Sequence, residues 1–434
     1  MSDLFIGLTG TGILFAIILC GAPIMLALFS IGFGGILLMN GWLPSISLLG
    51  SIIYPVVSAF HFSAIPMFLL MGFFAIRAGI GDDLFEACSK WLGRLPGGLA
   101  LASTGATAAF GAASGSSVGT ATLFTKLAMP KMVQRGYDPG FAAASIAIAG
   151  TLAVLIPPSA LIVVYGILTN AAIGKLLIAG IVPGIIFAVL LAATVLSIAL
   201  IYPRKAPAND AVYSLKEKLW SLRMIGPLVL VIVVMLGGLY GGVFTPTESG
   251  AVGAFATFIM AVIRCGIREI KLGQSLMETV VLTAMIFAII IGGLIFARFL
   301  ALSGVSVFIQ DILVNGTLSA WAVVTIVTLV YLLLGMLMDA PSLLAISLPI
   351  THPVMMHLGY DPIWFGVYVI VLAEIGAVTP PIGLNCFVVK GAAGDLVKLE
   401  EIFKGLVPFI FTAFVMLVLL LVFPQIALWL PSKM

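Results

Sequence analysis

The sequence predicts an all-α integral membrane protein built from two inverted-topology repeats, each carrying one re-entrant helical hairpin. Three observations predict it: the chain is too apolar for a soluble fold, its halves match at a fixed offset, and its basic residues cluster between apolar runs. Of 434 residues, 62% are hydrophobic and 9% charged, against about a quarter charged in soluble domains. Apolar runs long enough to cross a bilayer, about 20 residues for a helix, recur along the chain, as at 4–20, 176–201, 224–240 and 407–423. They are apolar all round, whereas barrel strands are short and alternate. Met1-Ser2-Asp3 carries no basic stretch and no cleavage pattern follows, so the first run is expected to be a mature transmembrane helix. Cys20, Cys88, Cys265 and Cys386 lack metal-ligand spacing and read as buried thiols. A net charge of +3 says little by itself, and no nucleic-acid partner is expected.

The repeat is the most informative feature. Gly136-Tyr137-Asp138-Pro139 recurs 223 residues later as Gly359-Tyr360-Asp361-Pro362, and Pro157-Pro158 recurs as Pro380-Pro381 at the same offset. Pro23 with Pro246 and Pro130 with Pro353 keep that register, while Gly180 and Pro183 match Gly405 and Pro408 at 225. A register held over so much of a membrane protein marks a secondary transporter made of two related halves.

Orientation follows from the positive-inside rule. Arg204, Lys205, Lys216, Lys218 and Arg223 place 202–223 in the cytoplasm, and Arg264, Arg268 and Lys271 return there two helices later. Working outward puts 17 of the 20 lysines and arginines inside, leaving Lys175, Arg298 and Lys433 outside. The count works if two segments are re-entrant hairpins, 96–134 from the cytoplasmic side and 318–357 from the outer side. Both termini then face outward, and the second half is inverted relative to the first. Amphipathic stretches at 81–95 and 305–314 read as interfacial arms.

Helix breaks carry the chemistry. The first hairpin breaks at Gly111-Ala112-Ala113-Ser114-Gly115-Ser116-Ser117, the second at Gly335-Met336-Leu337-Met338-Asp339-Ala340-Pro341-Ser342. Hydrocarbon cannot satisfy the backbone groups such turns expose, so they must face protein, water or a ligand. Each crossing segment also holds a double proline, Pro157-Pro158 and Pro380-Pro381, which removes two donors and unwinds the helix. Carbonyls near Ile156 and Thr379 become oxygen ligands suited to a hard cation. Half-helix C-termini favour cations and N-termini favour anions. Two breaks per half therefore suit paired cation sites around an anionic substrate.

Plainer roles compete at several positions. Ser116 and Ser117 also suit helix capping. Thr245-Pro246-Thr247-Glu248 matches a capping box, which makes Glu248 structural. Glu374, in a spanning run, is a functional candidate or a partner for Arg298 or a backbone group. Arg298 suits either snorkelling or a substrate carboxylate. His352 and His357 lack a third metal ligand, and His61 reads as a packing residue. No nucleophile–base pair or metal set lies at the midplane, so no enzyme is expected.

With these residues laid out, the chain resembles the large membrane subunit of the tripartite ATP-independent periplasmic (TRAP) transporters over essentially its full length. The resemblance rests on Gly-Ala-Ala-Ser-Gly-Ser-Ser at 111–117, Gly-Tyr-Asp-Pro with Ile-Pro-Pro-Ser at 156–159, and Phe-Thr-Pro-Thr-Glu at 244–248. Met-Asp-Ala-Pro-Ser at 338–342 and Thr-Pro-Pro-Ile-Gly-Leu-Asn at 379–385 complete it. It implies a bacterial inner-membrane, sodium-coupled importer of organic acids such as sialic acid, C4-dicarboxylates or keto acids. A separate four-helix membrane subunit and a periplasmic substrate-binding protein would be partners, with sodium as coupling ion and no other cofactor. It also implies an elevator-type ion-transporter fold. Scaffold would cover 1–76 and 223–297, arms 77–95 and 298–315, a cytoplasmic linker 203–222, and the moving domain 96–202 and 316–434. One implied sodium site uses Ser114, Ser116 and carbonyls from Thr151 to Ile156. The second uses Met338, Asp339 and carbonyls of Val378 and Thr379. Ser117, Ser342, Asn385 and, from the outer side, Arg298 are the expected substrate contacts. A stand-alone sodium/dicarboxylate carrier of the same architecture is the alternative.

Overall fold

Local capping explains where the helices start and stop. The chain is described by a computed structural model over residues 2–208, 213–314 and 318–434, and every regular element among the described residues is helical. Residues 209–212 of the expected linker and 315–317 beside the second arm lie outside the described residues.

The first half opens with α1 (Asp3–Leu19), α2 (Ile24–Asn40), α3 (Trp42–Ser58), α4 (Ala64–Arg77) and an arm helix, α5 (Ile80–Leu92). Then come α6 (Gly98–Ser114) and α7 (Ser117–Gln134), followed by α8 (Pro139–Gly150), α9 (Leu152–Leu155), α10 (Ala160–Thr169), α11 (Ile173–Ala179) and α12 (Ile181–Ile201). The second half runs through α13 (Leu215–Tyr240), α14 (Pro246–Cys265), α15 (Leu272–Leu302) and the arm α16 (Val305–Val314). It continues with α17 (Ala320–Gly335), α18 (Ala340–His357), α19 (Pro362–Val378), α20 (Leu384–Ala393) and α21 (Leu399–Val422).

The Gly-Tyr-Asp-Pro motif is a helix stop joined to a helix start. Gly136 and Gly359 adopt left-handed φ values of 79° and 83°. The following tyrosine N–H groups donate back to Met132 and Met355 carbonyls, each at 3.1 Å, as in a Schellman turn. Asp138 then accepts from Phe141 N at 2.7 Å and Asp361 from Ile363 N at 2.7 Å, with proline in the first turn after each. Glu248 closes the capping box expected at Thr245.

Helix boundaries recur with the sequence offset. α7 and α18 begin and end 223 residues apart, as do Pro139–Leu155 and Pro362–Val378. Packing is reciprocal too: α2 packs on α15, and α4 on α14, so each half lends one helix to the other. These pairs approach closely because glycine faces the partner. A β-carbon on Gly32 would lie 2.8 Å from Phe296 N, and one on Gly250 would lie 3.1 Å from Met67 Cβ. One element differs. α15 runs unbroken to Leu302, past the expected arm boundary at 298, where the first half has two helices and an intervening turn. Pro55 lies near the end of α3 and Pro66 in the first turn of α4, on either side of that break; the second-half stretch has no proline.

Among the described residues, six helices are long and apolar enough to cross a membrane, or seven if the pair Pro139–Leu155 and Ala160–Thr169, bent by 49°, counts as one. Leu38, Leu43 and Ile263 point outward, each more than 75% exposed, a cost in water but not in lipid. The chain is a multi-pass membrane protein. The buried-thiol expectation holds for Cys386 alone; Cys20 is exposed at the end of α1, and Cys88 and Cys265 are half-buried, because apolar runs here face lipid as often as protein.

The stretch from Arg77 through α5 is tied down along its length. Arg77 pairs with Glu278 at 3.2 Å, and Arg264 holds both Asp83 and the Ala78 carbonyl. At its far end Trp91 Nε1 donates to Lys218 O at 3.1 Å. The second arm shows a polar tie of another kind, Gln310 to His357 Nδ1 at 3.0 Å.

Candidate functional site

The helix breaks converge on one cavity of about 420 Å³. One wall is the α6–α7 break, residues 114–119, with Val154, Ala160 and Leu161 beside the first double proline. Another is Asp339–Pro341 at the start of α18, joined by Glu374, Leu384 and Asn385 around the second. The facing wall is apolar: Gly72 and Phe73 of α4, and Met285 and Ile286 of α15.

The end of α6 is seated on α9, and the end of α17 on α19. A β-carbon on Gly111 would lie 2.5 Å from Ala153 Cα, and one on Gly376 would lie 2.6 Å from Gly335 Cα. Only glycine permits backbones this close. Gly115, with φ of 58°, sits over the first proline pair, its missing β-carbon 2.8 Å from Pro158 O. At the second pair, the carbonyls of Val378 and Thr379 converge to 3.2 and 3.3 Å from the corresponding point on Gly383. Both pairs, Pro157-Pro158 and Pro380-Pro381, have cis peptide bonds.

The expected site residues fall into three groups. Ser114, Ser116, Ser117, Asp339 and Asn385 are on the cavity wall. Behind it lie Ser342, whose hydroxyl donates to Asp339 Oδ1 at 2.6 Å, and Thr151, whose hydroxyl donates to Ile148 O at 2.6 Å. Ile156, Met338, Val378 and Thr379 also stand outside the lining, in the segments beside it. Arg298 is exposed on α15, apart from the cavity.

Capping and site geometry coexist at the α6–α7 break. Ser116 accepts from Gly119 N at 3.2 Å as the N-cap of α7, and the Ser114 and Thr120 hydroxyls meet at 2.6 Å. Ser117 does not cap; its hydroxyl donates to Glu374 Oε1 at 3.3 Å, across the two halves. Glu374 therefore pairs with Ser117, not with Arg298 or a backbone group. Asn385 is fully buried with neither amide atom partnered. The α4 and α15 wall had no sequence signal beyond Gly72, whose missing β-carbon would lie 2.9 Å from Ser114 O.

A family model described as the tripartite ATP-independent periplasmic transporter DctM component matches residues 11–426. The chain belongs to this family. The C4-dicarboxylate TRAP transporter large permease of Pseudomonas aeruginosa is 36% identical over 370 residues, covering 85% of this chain and 86% of the relative. Its counterpart in Rhodobacter capsulatus is 32% identical, covering 97% and 98%. The sialic acid TRAP transporter permease of Haemophilus influenzae is 31% identical over 87% of this chain and 60% of the longer relative. These relatives are named as transporter permeases, not enzymes. The crystal structure of the Alcanivorax borkumensis YdaH transporter covers 90% of both chains with a TM-score of 0.59 at 12% identity; it bears on the fold alone.

Proposed function

We propose that the chain is the large permease of a sodium-coupled importer of an organic carboxylate, of the sialic acid or C4-dicarboxylate class. A periplasmic binding protein delivers the substrate, and a separate small four-helix membrane subunit completes the inner-membrane unit. The observation that carries this reading is the cavity where the α6–α7 break, the start of α18 and residues flanking both double prolines meet. Backbone breaks at membrane depth are tolerated where they line a cavity, and midplane sites of secondary transporters are built this way. Relatives named for C4-dicarboxylate and sialic acid transport support the substrate classes.

In this reading 96–134 and 318–357 are re-entrant hairpins of an inverted repeat, with both termini periplasmic. The first sodium site uses Ser114, Ser116 and carbonyls from Thr151 to Ile156; the second uses Met338, Asp339, Val378 and Thr379. Ser117 and Asn385 contact substrate, Ser342 acts from behind them through Asp339, and Arg298, exposed and remote, is assigned to the outer membrane surface instead. Segments 96–202 and 316–434 slide as an elevator past a scaffold of 1–76 and 223–297. The apolar α4 and α15 wall supports this, because it offers the moving part few directional bonds to break.

The test is accumulation of labelled succinate or sialic acid by proteoliposomes carrying the membrane complex and supplied with its binding protein. An inward sodium gradient is expected to drive uptake that an equal potassium gradient does not. Equal uptake under both would remove sodium coupling.

A further inference from the structure

Glu374 has no role in either sodium site assigned above, yet it is the most constrained acid on the cavity wall. It is 4% exposed. Oε1 accepts from Ser117, and Oε2 is buried with no partner. Asn385, fully buried on the same wall, has its side-chain oxygen unpartnered as well. The lining holds two carboxylates, Asp339 and Glu374, and no lysine, arginine or histidine. A carboxylate out of water demands compensation, and an arriving organic anion adds further negative charge. The lining supplies no cationic side chain, so the charge is compensated by a cation or a proton that enters from the cavity.

We infer that Glu374 Oε2 and Asn385 Oδ1 form a third sodium site, completed by oxygen atoms of the bound carboxylate. The donors are all hard oxygens. A cation between Glu374 and the substrate attracts both, so sodium and substrate bind cooperatively. The Ser117–Glu374 bond ties the first hairpin to the crossing helix of the other half, which makes the site sensitive to both halves at once. The inference rests on the carboxylate-import reading and deepens it.

Glu374→Gln keeps an oxygen for Ser117 but removes the charge. Initial uptake would be measured against sodium concentration in proteoliposomes of the membrane complex with its binding protein. Thermal stabilisation by sodium chloride over choline chloride would be measured on the same complex with and without succinate or sialic acid. The variant is expected to lower the Hill coefficient for sodium by about one and raise half-saturating sodium about tenfold, while sodium still stabilises the protein. A sodium curve identical to wild type would overturn the site. So would a variant that loses pH dependence while keeping the sodium curve, since the occupant would then be a proton. An inactive variant stabilised by sodium as strongly as wild type with the acid present would overturn it too. Wild-type uptake indifferent to sodium would instead sink the import reading, and the choline comparison would still report on Glu374.

Discussion

Asp339→Ala is expected to raise the sodium concentration needed for half-maximal uptake about 10- to 100-fold, the loss of roughly 1.5–3 kcal/mol attached to a charged ligand. Asp339 stands at the N-cap of α18, but its carboxylate makes no cap bond to the backbone. Its recorded partner is the Ser342 hydroxyl at 2.6 Å, and the residue lines the cavity. The helix therefore loses little capping when the carboxylate goes, and the effect should appear in sodium dependence more than in folding. Uptake rates against sodium, paired with a melting curve, separate the two. Unchanged sodium dependence would remove Asp339 from the second ion site.

Gly376→Val is expected to be among the most disruptive single changes to folding. The new β-carbon would sit 2.6 Å from Gly335 Cα and 2.8 Å from Gly335 C, backbone atoms that cannot rotate away. Overpacking typically costs about 1–3 kcal/mol and more where the backbone itself must move. The end of α17 would be pushed off α19. A large fall in monodisperse, thermally stable protein is the expected readout. A variant with wild-type melting and uptake would show that these helices do not meet as described.

Much of the architecture was legible because its signals are local. Gly-Tyr-Asp-Pro announces a helix stop and a helix start within four residues, and the double prolines announce breaks that no neighbour can repair. Accordingly α7 and α18 end at 134 and 357, and α8 and α19 start at 139 and 362. Ser114, Ser116, Ser117, Asp339 and Asn385 were legible as site candidates for the same reason: each sits in or beside a break.

What the sequence left open depends on distant pairing. Glu374 meets Ser117 across 257 residues, and a run of apolar neighbours does not say which residue faces it. Arg298 suited either snorkelling or a substrate carboxylate on the outer side, and it stands exposed on α15 outside the cavity lining. The apolar wall of α4 and α15 depends on which faces of two long helices turn inward. The ties of the first arm, Arg264 to Asp83 and Trp91 to Lys218, join segments too far apart for any local pattern to link.

The most direct test of the account is uptake of labelled succinate and sialic acid into proteoliposomes containing the chain and its small membrane partner. It should be run under an inward sodium gradient, with and without the cognate periplasmic binding protein. The account predicts accumulation of one of these acids only when sodium and the binding protein are both present. Sodium-driven uptake that proceeds equally well without the binding protein would contradict it and favour a stand-alone carrier.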